Sequence, residues 1–244
     1  MPRVIYSCIA SARQPVEMSA HVDQPIRMAS IARSTMPRII LWTTLALFIL
    51  LISACTGRSS PADTPGDYEG TSLDSPAVDF RLKDQNGTTI ALSDFRGRVV
   101  VLAFLDSQCR EVCPLTAAHL RAANQMLGDD AAAVAFIGVN VNAQANTVED
   151  VMAITSKWKL DEIPTWHFLT GSTEELEPVW KAYGIAVIPG EDEIQHTPGV
   201  FLIDQTGRQR WYVSTPFDEA GTPRWTTPLS ELLVRHIREL LSEG

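Results

Sequence analysis

Cysteine is scarce in this chain, four in 244 residues, which excludes a small domain stapled by several disulfides. Basic residues are also in short supply, 20 Lys and Arg against 29 Asp and Glu. Nucleic-acid binding wants clustered positive charge, so this balance excludes that class of partner. The longest charge-free apolar run falls short of the roughly 20 residues a spanning helix prefers. No internal repeat is evident.

What is present begins with an export pattern. Residues 1–37 have scattered polar and basic residues without a usable period and read as a disordered or mis-started extension, with Met28 and Met36 as more economical beginnings. Arg38 then leads into a short apolar run over 39–51 that ends in small residues, which is the form of an export signal over 38–54. Ile52-Ser53-Ala54-Cys55 looks like a bacterial lipobox. That reading places a lipid on the Cys55 sulfur and the chain on the extracytoplasmic face of the cytoplasmic membrane; the alternative is a single retained N-terminal transmembrane helix. Residues 55–75, rich in Ser, Thr, Pro, Gly and Asp, read as a flexible tether, and 76–244 as the folded domain. Removing residues 1–54 takes five basic and two acidic residues away, leaving 15 against 27 and a net charge of −12.

Within the domain the patterning alternates between strand and helix. Residues 76–82 and 88–92 alternate apolar and polar around Asp84-Gln85-Asn86-Gly87, a β-hairpin signal. Residues 98–105 are apolar on both faces and predict a central strand, and 133–141 a second one. Helices are predicted over 115–127, ending at Gly128, from Thr147 to about Lys159, and over 172–183, stopped by Gly184. A short strand over 166–169, a hairpin over 200–213 and a final helix over 228–242 complete a sheet covered on both faces. Trp158, Trp166, Trp180, Trp211 and Trp225 fit core or interface packing.

If Cys8 is discarded and Cys55 carries lipid, Cys109 and Cys113 are the free thiols that remain. They lie where an apolar strand hands over to a helix, with Pro114 suited to its first turn. A helix N-terminus favours thiolate, and a pair four residues apart can close on a metal ion or on a disulfide. The plain alternative is two buried cysteines packing as small hydrophobes.

A strand, a cysteine pair at the next helix N-terminus and a Pro before a later strand resemble the thioredoxin superfamily. Within it the chain resembles the Sco/SenC family of copper-binding assembly factors for cytochrome c oxidase. The resemblance rests on Asp84-Gln85-Asn86-Gly87 through Asp94-Phe95-Arg96-Gly97, Cys109-Arg110-Glu111-Val112-Cys113-Pro114, Trp166-His167-Phe168-Leu169-Thr170-Gly171-Ser172, and His196-Thr197 eight residues before Asp204. Departures are Asp106-Ser107 where an aromatic and Thr are frequent, Arg110 where Pro is common, Gln195 in place of Asp, and Pro198 where thioredoxin-like enzymes place a cis-Pro.

The resemblance implies an α/β fold with a thioredoxin-like central sheet flanked by helices, an N-terminal β-hairpin and a C-terminal helix. It implies copper, Cu(I) or Cu(II), held by Cys109, Cys113 and His196, a donor set that suits a soft ion. The implied partners are a copper-accepting subunit of a respiratory oxidase and either a second copper donor or a thiol reductant. The alternative function is a thiol–disulfide oxidoreductase that keeps target cysteines reduced, with Cys109 and Cys113 as its redox pair. A zinc site of three ligands and a water is a further alternative for the metal. The loop over 190–195 is expected to let His196 swing. His119 is expected to face solvent, His167 to be a satisfied sheet residue, and His236 to be exposed between Arg235 and Arg238. Glu191, Asp192 and Glu193 read as a solvated acidic loop, the alternative being a docking patch for a partner or a weak further donor to the metal.

Overall fold

The computed structural model describes residues 68–190, 194–214 and 227–244. The readings placed on the export segment, on Cys55 and on the tether up to residue 67, like those on Glu191, Asp192, Glu193 and Trp225, lie outside the described residues. Among the described residues no helix is long and apolar enough to cross a membrane. In chain order the strands are β1 (Thr71–Pro76), β2 (Arg81–Lys83), β3 (Thr89–Ala91), β4 (Val99–Leu105), β5 (Val134–Asn140), β6 (Trp166–Leu169), β7 (Val187–Pro189), β8 (Ile194–His196), β9 (Val200–Ile203) and β10 (Arg208–Val213). The helices are α1 (Val112–Leu127), α2 (Val148–Lys157), α3 (Thr173–Ala182) and α4 (Leu229–Ser242).

Six strands form one sheet in the order β1-β10-β9-β4-β5-β6. β4, β5 and β6 run parallel, and β9 lies antiparallel against β4. Parallel neighbours need a crossover, and α1 and α2 supply the two. Every residue of β4 and β5 is buried, because helices or loops cover both faces and leave no side for water. On β4 the side chains of Val99, Val101, Ala103 and Leu105 enter a core shared with α1 and α4. Those of Val100, Leu102 and Phe104 enter a second core with Leu176, Val179 and Trp180 of α3. One face of α1, made by Cys113, Ala117, Leu120, Ala123 and Leu127, is buried on the sheet. Burying a leucine such as Leu120 stabilises by about 2 kcal/mol.

Several elements depart from the sequence reading. The segment read as tether to residue 75 instead supplies β1 from Thr71, antiparallel to β10 at the sheet edge. Only Leu73 within it is even half-buried, so no apolar alternation announces it. The predicted N-terminal hairpin shrinks to β2 and β3, three residues each. Its turn docks on the opposite edge: Gln85 Oε1 accepts the Phe168 N–H at 2.7 Å and its Nε2 donates to the Trp166 carbonyl at 3.3 Å, so a side chain covers the free rim of β6.

α1 begins three residues before the predicted start, at Val112. His236 is not exposed: it is 3% accessible, stacked on Trp211 at 4.0 Å between ring centres, with Nε2 2.8 Å from the Glu69 carbonyl. Arg235 and Arg238 suggested solvent, but His236 shares the helix face of Leu232 and Leu240, one turn away on either side. Among the described residues no peptide bond is cis, so Pro198 does not have the isomer its position suggested. Trp158, Trp166 and Trp180 are buried in the cores as expected.

Candidate metal centre

The site forms where the C-terminal ends of β4 and β5 meet the N-terminus of α1. β4 ends at Leu105, and the carbonyl of Asp106 accepts the Cys109 N–H at 3.2 Å, turning the chain sharply before α1. Glu111, the residue that precedes α1, makes no side-chain cap. The first-turn N–H groups still need partners. Pro114 has none to satisfy, and the Cys113 N–H donates to Cys109 Sγ at 3.3 Å, so sulfur does the work usually left to a capping oxygen.

The two thiols are therefore driven apart. Cys109 is lowered from its ordinary 9.0 to about 6, chiefly because the Cys113 thiol donates to it, with help from the backbone N–H groups of Cys113, Glu111 and Val112 against the opposing effect of burial. Cys113 is pushed far up, first by that same hydrogen bond, then by burial and by the negative charge on Cys109. Both cysteines are free, Cys109 half-buried and Cys113 fully buried. The Asp106 N–H points to Cys113 Sγ at 3.4 Å.

His196 arrives from the far side, at the end of β8. β7 and β8 pair antiparallel with Val187 opposite His196, a hairpin where the sequence suggested only a mobile loop. Its base is fixed by Thr197, whose N–H donates to the Ala186 carbonyl and whose Oγ1 accepts the Ala186 N–H, both at 3.0 Å. His196 Nδ1 lies 3.1 Å from the Thr197 carbonyl. A carbonyl can only accept, so this contact assigns a ring proton to Nδ1, and in the neutral ring Nε2 then carries the lone pair. That Nε2 stands 3.6 Å from Cys113 Sγ.

Cys113 thus touches both other candidates, Cys109 on one side and His196 on the other. Among the described residues no three His, Cys, Asp or Glu side chains converge enough to hold a metal ion. The donor chemistry nonetheless fits a soft ion, two sulfurs and a neutral imidazole. The 3.6 Å sulfur–nitrogen separation is short enough for one ion to touch both atoms. Behind β7 and β8 an open, largely apolar groove of about 610 Å³ separates the hairpin from α3.

The other histidines stay outside this arrangement. His167 lies on β6 with Nδ1 3.3 Å from Asp84 Oδ2, the satisfied sheet residue expected. His119 is half-buried on α1 rather than turned fully to solvent, and burial lowers its pKa. Sequence reasoning missed a buried polar cluster under the cysteine loop, formed by Asp106, Ser107, Asn140 and Asn142. The available signal was polar residues at the C-terminal ends of two adjacent apolar strands, the end where parallel sheets place their sites.

A sheet of this order, with a dithiol where β4 gives way to α1, makes this a thioredoxin-like domain. The SCO1/SenC family model matches residues 70–221, more than half of the chain, and the chain belongs to that family. A curated relative, the SCO1 protein homolog of Bacillus subtilis (strain 168), is 24% identical over 190 residues, covering 75% of this chain and 93% of its own. Among solved structures, a SCO1/SenC family lipoprotein from Bacillus anthracis str. Ames has a TM-score of 0.59 at 23% identity, covering 70% of this chain and 98% of its own. Copper-bound ScoI of Arabidopsis thaliana has a TM-score of 0.58 at 19% identity, covering 70% of this chain and all of its own. BsSco, a member of the Sco family of cytochrome c oxidase assembly proteins in which a disulfide switch was identified, has a TM-score of 0.57 at 18% identity, covering 72% of this chain and 98% of its own.

Proposed function

We propose that this domain is a copper chaperone, tethered outside the cytoplasm, that carries copper on Cys109, Cys113 and His196 and passes it to the binuclear copper site of a respiratory oxidase during assembly. The observation that carries the reading is the 3.6 Å approach of His196 Nε2 to the buried thiol of a cysteine pair. Relatives of the same fold support it: one is described with copper bound and another as an oxidase assembly protein. Tethering rests on the lipobox form of residues 52–55 and on a relative described as a lipoprotein. In this reading the segment that follows Cys55 links the lipid to a domain that begins before β1, where Tyr68 and Glu69 are already held by Ser214 and His236.

Cys109, already inclined to thiolate, is the first sulfur to meet the ion. Cys113 loses its proton as the ion binds, since a coordinating thiol is deprotonated. Two thiolates around Cu(I) leave a net charge of about −1 beside the partial positive charge of the α1 N-terminus. The groove behind β7 and β8 gives the hairpin room to bring Nε2 in or withdraw it. Substitution of His196 by Ala should lower Cu(I) retention against a competing chelator at least tenfold while melting stays within a few degrees. Unchanged retention removes His196 from the ligand set.

A second reading is favoured by the split between the thiols. A half-exposed, low-pKa Cys109 before a buried, protonated Cys113 is the arrangement of an attacking and a resolving cysteine. Cys109 thiolate would attack a target disulfide, form a mixed disulfide and release one target thiolate. Cys113 would then displace the second, leaving Cys109 and Cys113 oxidised and the target reduced by two electrons. A thiol reductant would restore the pair. If His196 proves dispensable and both cysteines do not, this reading stands alone.

A further inference from the structure

The polar cluster beneath the cysteine loop has no part in the roles so far described. Asp106 and Asn142 are 3% and 2% exposed, and burying such groups is costly unless they are paired. They are paired with each other: Asn142 Nδ2 donates to Asp106 Oδ1 at 2.7 Å. The same oxygen accepts the Gln108 N–H at 2.8 Å, and Asn142 Nδ2 also lies 3.4 Å from Gln108 Oε1. The other end of the Asn142 amide accepts the N–H groups of Gln144 and Ala145 at 2.8 and 3.1 Å. Two donors on one side and a carboxylate on the other leave only one orientation for this amide.

Asn142 therefore does two separable things. Its oxygen closes the turn after β5, and its NH2 ties that turn to the loop from Asp106 to Cys109. Ser107 adds a parallel tie, its N–H donating to Asn140 Oδ1 at 3.3 Å and its Oγ to the Ala145 carbonyl at 2.7 Å.

From this geometry we infer that Asn142 is a positioning residue for the dithiol, holding the Asp106–Cys109 loop so that Cys109 Sγ stays over the α1 N-terminus beside Cys113. A loop held in advance raises the effective concentration of one sulfur at the other, which strengthens both disulfide formation and the grip on a shared ion. The copper part of this inference rests on the proposed function; the thiol part does not.

Asn142→Ser keeps a short acceptor for the turn but cannot reach Asp106, and Asn142→Asp keeps the acceptor, loses the donor and sets a second carboxylate against Asp106. The exchanged pair, Asp106→Asn with Asn142→Asp, reverses donor and acceptor and conserves charge. In metal-free protein, the equilibrium of Cys109 and Cys113 with glutathione, in which oxidised glutathione and the dithiol give the protein disulfide and two reduced glutathiones, is expected to shift about tenfold toward the dithiol in each single variant. It is expected to return to within about threefold of the parent in the exchanged pair, and Cu(I) retention should follow the same order.

A residue that only closed the turn through its oxygen would be replaced by Asn142→Ser, which adds no charge, so an Asn142→Ser protein that equilibrates like the parent overturns the inference. If the single variants fail to fold, the exchanged pair decides: recovery supports the inference, and a folded exchanged pair shifted by tenfold or more overturns it. A parent protein that does not retain Cu(I) would defeat the copper reading and leave the glutathione result to judge the loop.

Discussion

Two sulfurs four residues apart move in opposite directions because one donates a hydrogen bond to the other, with backbone N–H groups adding to the pull on Cys109 and burial to the push on Cys113. Cys109 receives hydrogen bonds and falls to about 6, while Cys113 donates one and stays protonated. Alkylation follows thiolate, so the rate at Cys109 should rise with pH through about 6 and level off above 7, with Cys113 unreactive in the native fold. Mass spectrometry after brief alkylation across pH 5–8 checks this; a midpoint near 8.5 would contradict it. The cysteine pair was legible in the sequence because Cys109, Cys113 and Pro114 stand at an evident strand-to-helix junction. His196 was reached through family spacing alone, since nothing in its own neighbourhood marks it. Asp106 and Asn142 were missed because their meaning lies in a contact across 36 residues.

At the scale of elements, the sequence displayed the interior and concealed the rims. β4 and β5 announce themselves because both their faces are apolar, and Gly128 and Gly184 punctuate the helices before them. β1, β7 and β8 are short or half-exposed edge pieces, held by backbone pairing that leaves no hydrophobic period to read. The start of α1 shifted because its cap is a sulfur rather than the Ser, Thr, Asp or Asn that sequence rules look for. The edge of β6 depends on the Gln85 side chain. Gln85→Ala would strand the buried Phe168 N–H and should cost about 1–3 kcal/mol, read as a lower urea midpoint with an unchanged slope. Gly138 on β5 gives a second test, since a Cβ there would stand 2.9 Å from the Trp166 ring and 3.0 Å from Phe168. Gly138→Ala should destabilise by roughly 1–3 kcal/mol in the same titration, and a neutral result would mean those rings are free to move.

For the whole molecule, an acidic domain, an export pattern in the sequence and a site at one end of a parallel sheet are what the proposed role of copper carrier brings together. The α/β class and its flanking helices were legible because the order of strands and helices admits few arrangements. The antiparallel placement of β9 between β4 and β10 required the structure, since a hairpin pattern does not reveal which strand it joins. The claim on which everything turns is that Cys109, Cys113 and His196 bind one copper ion together. X-ray absorption on protein reconstituted anaerobically with one equivalent of Cu(I) tests it most directly. The proposed site predicts two sulfur donors and one nitrogen donor, with the nitrogen lost in His196→Ala; a spectrum of sulfur donors alone, unchanged by that substitution, would contradict it.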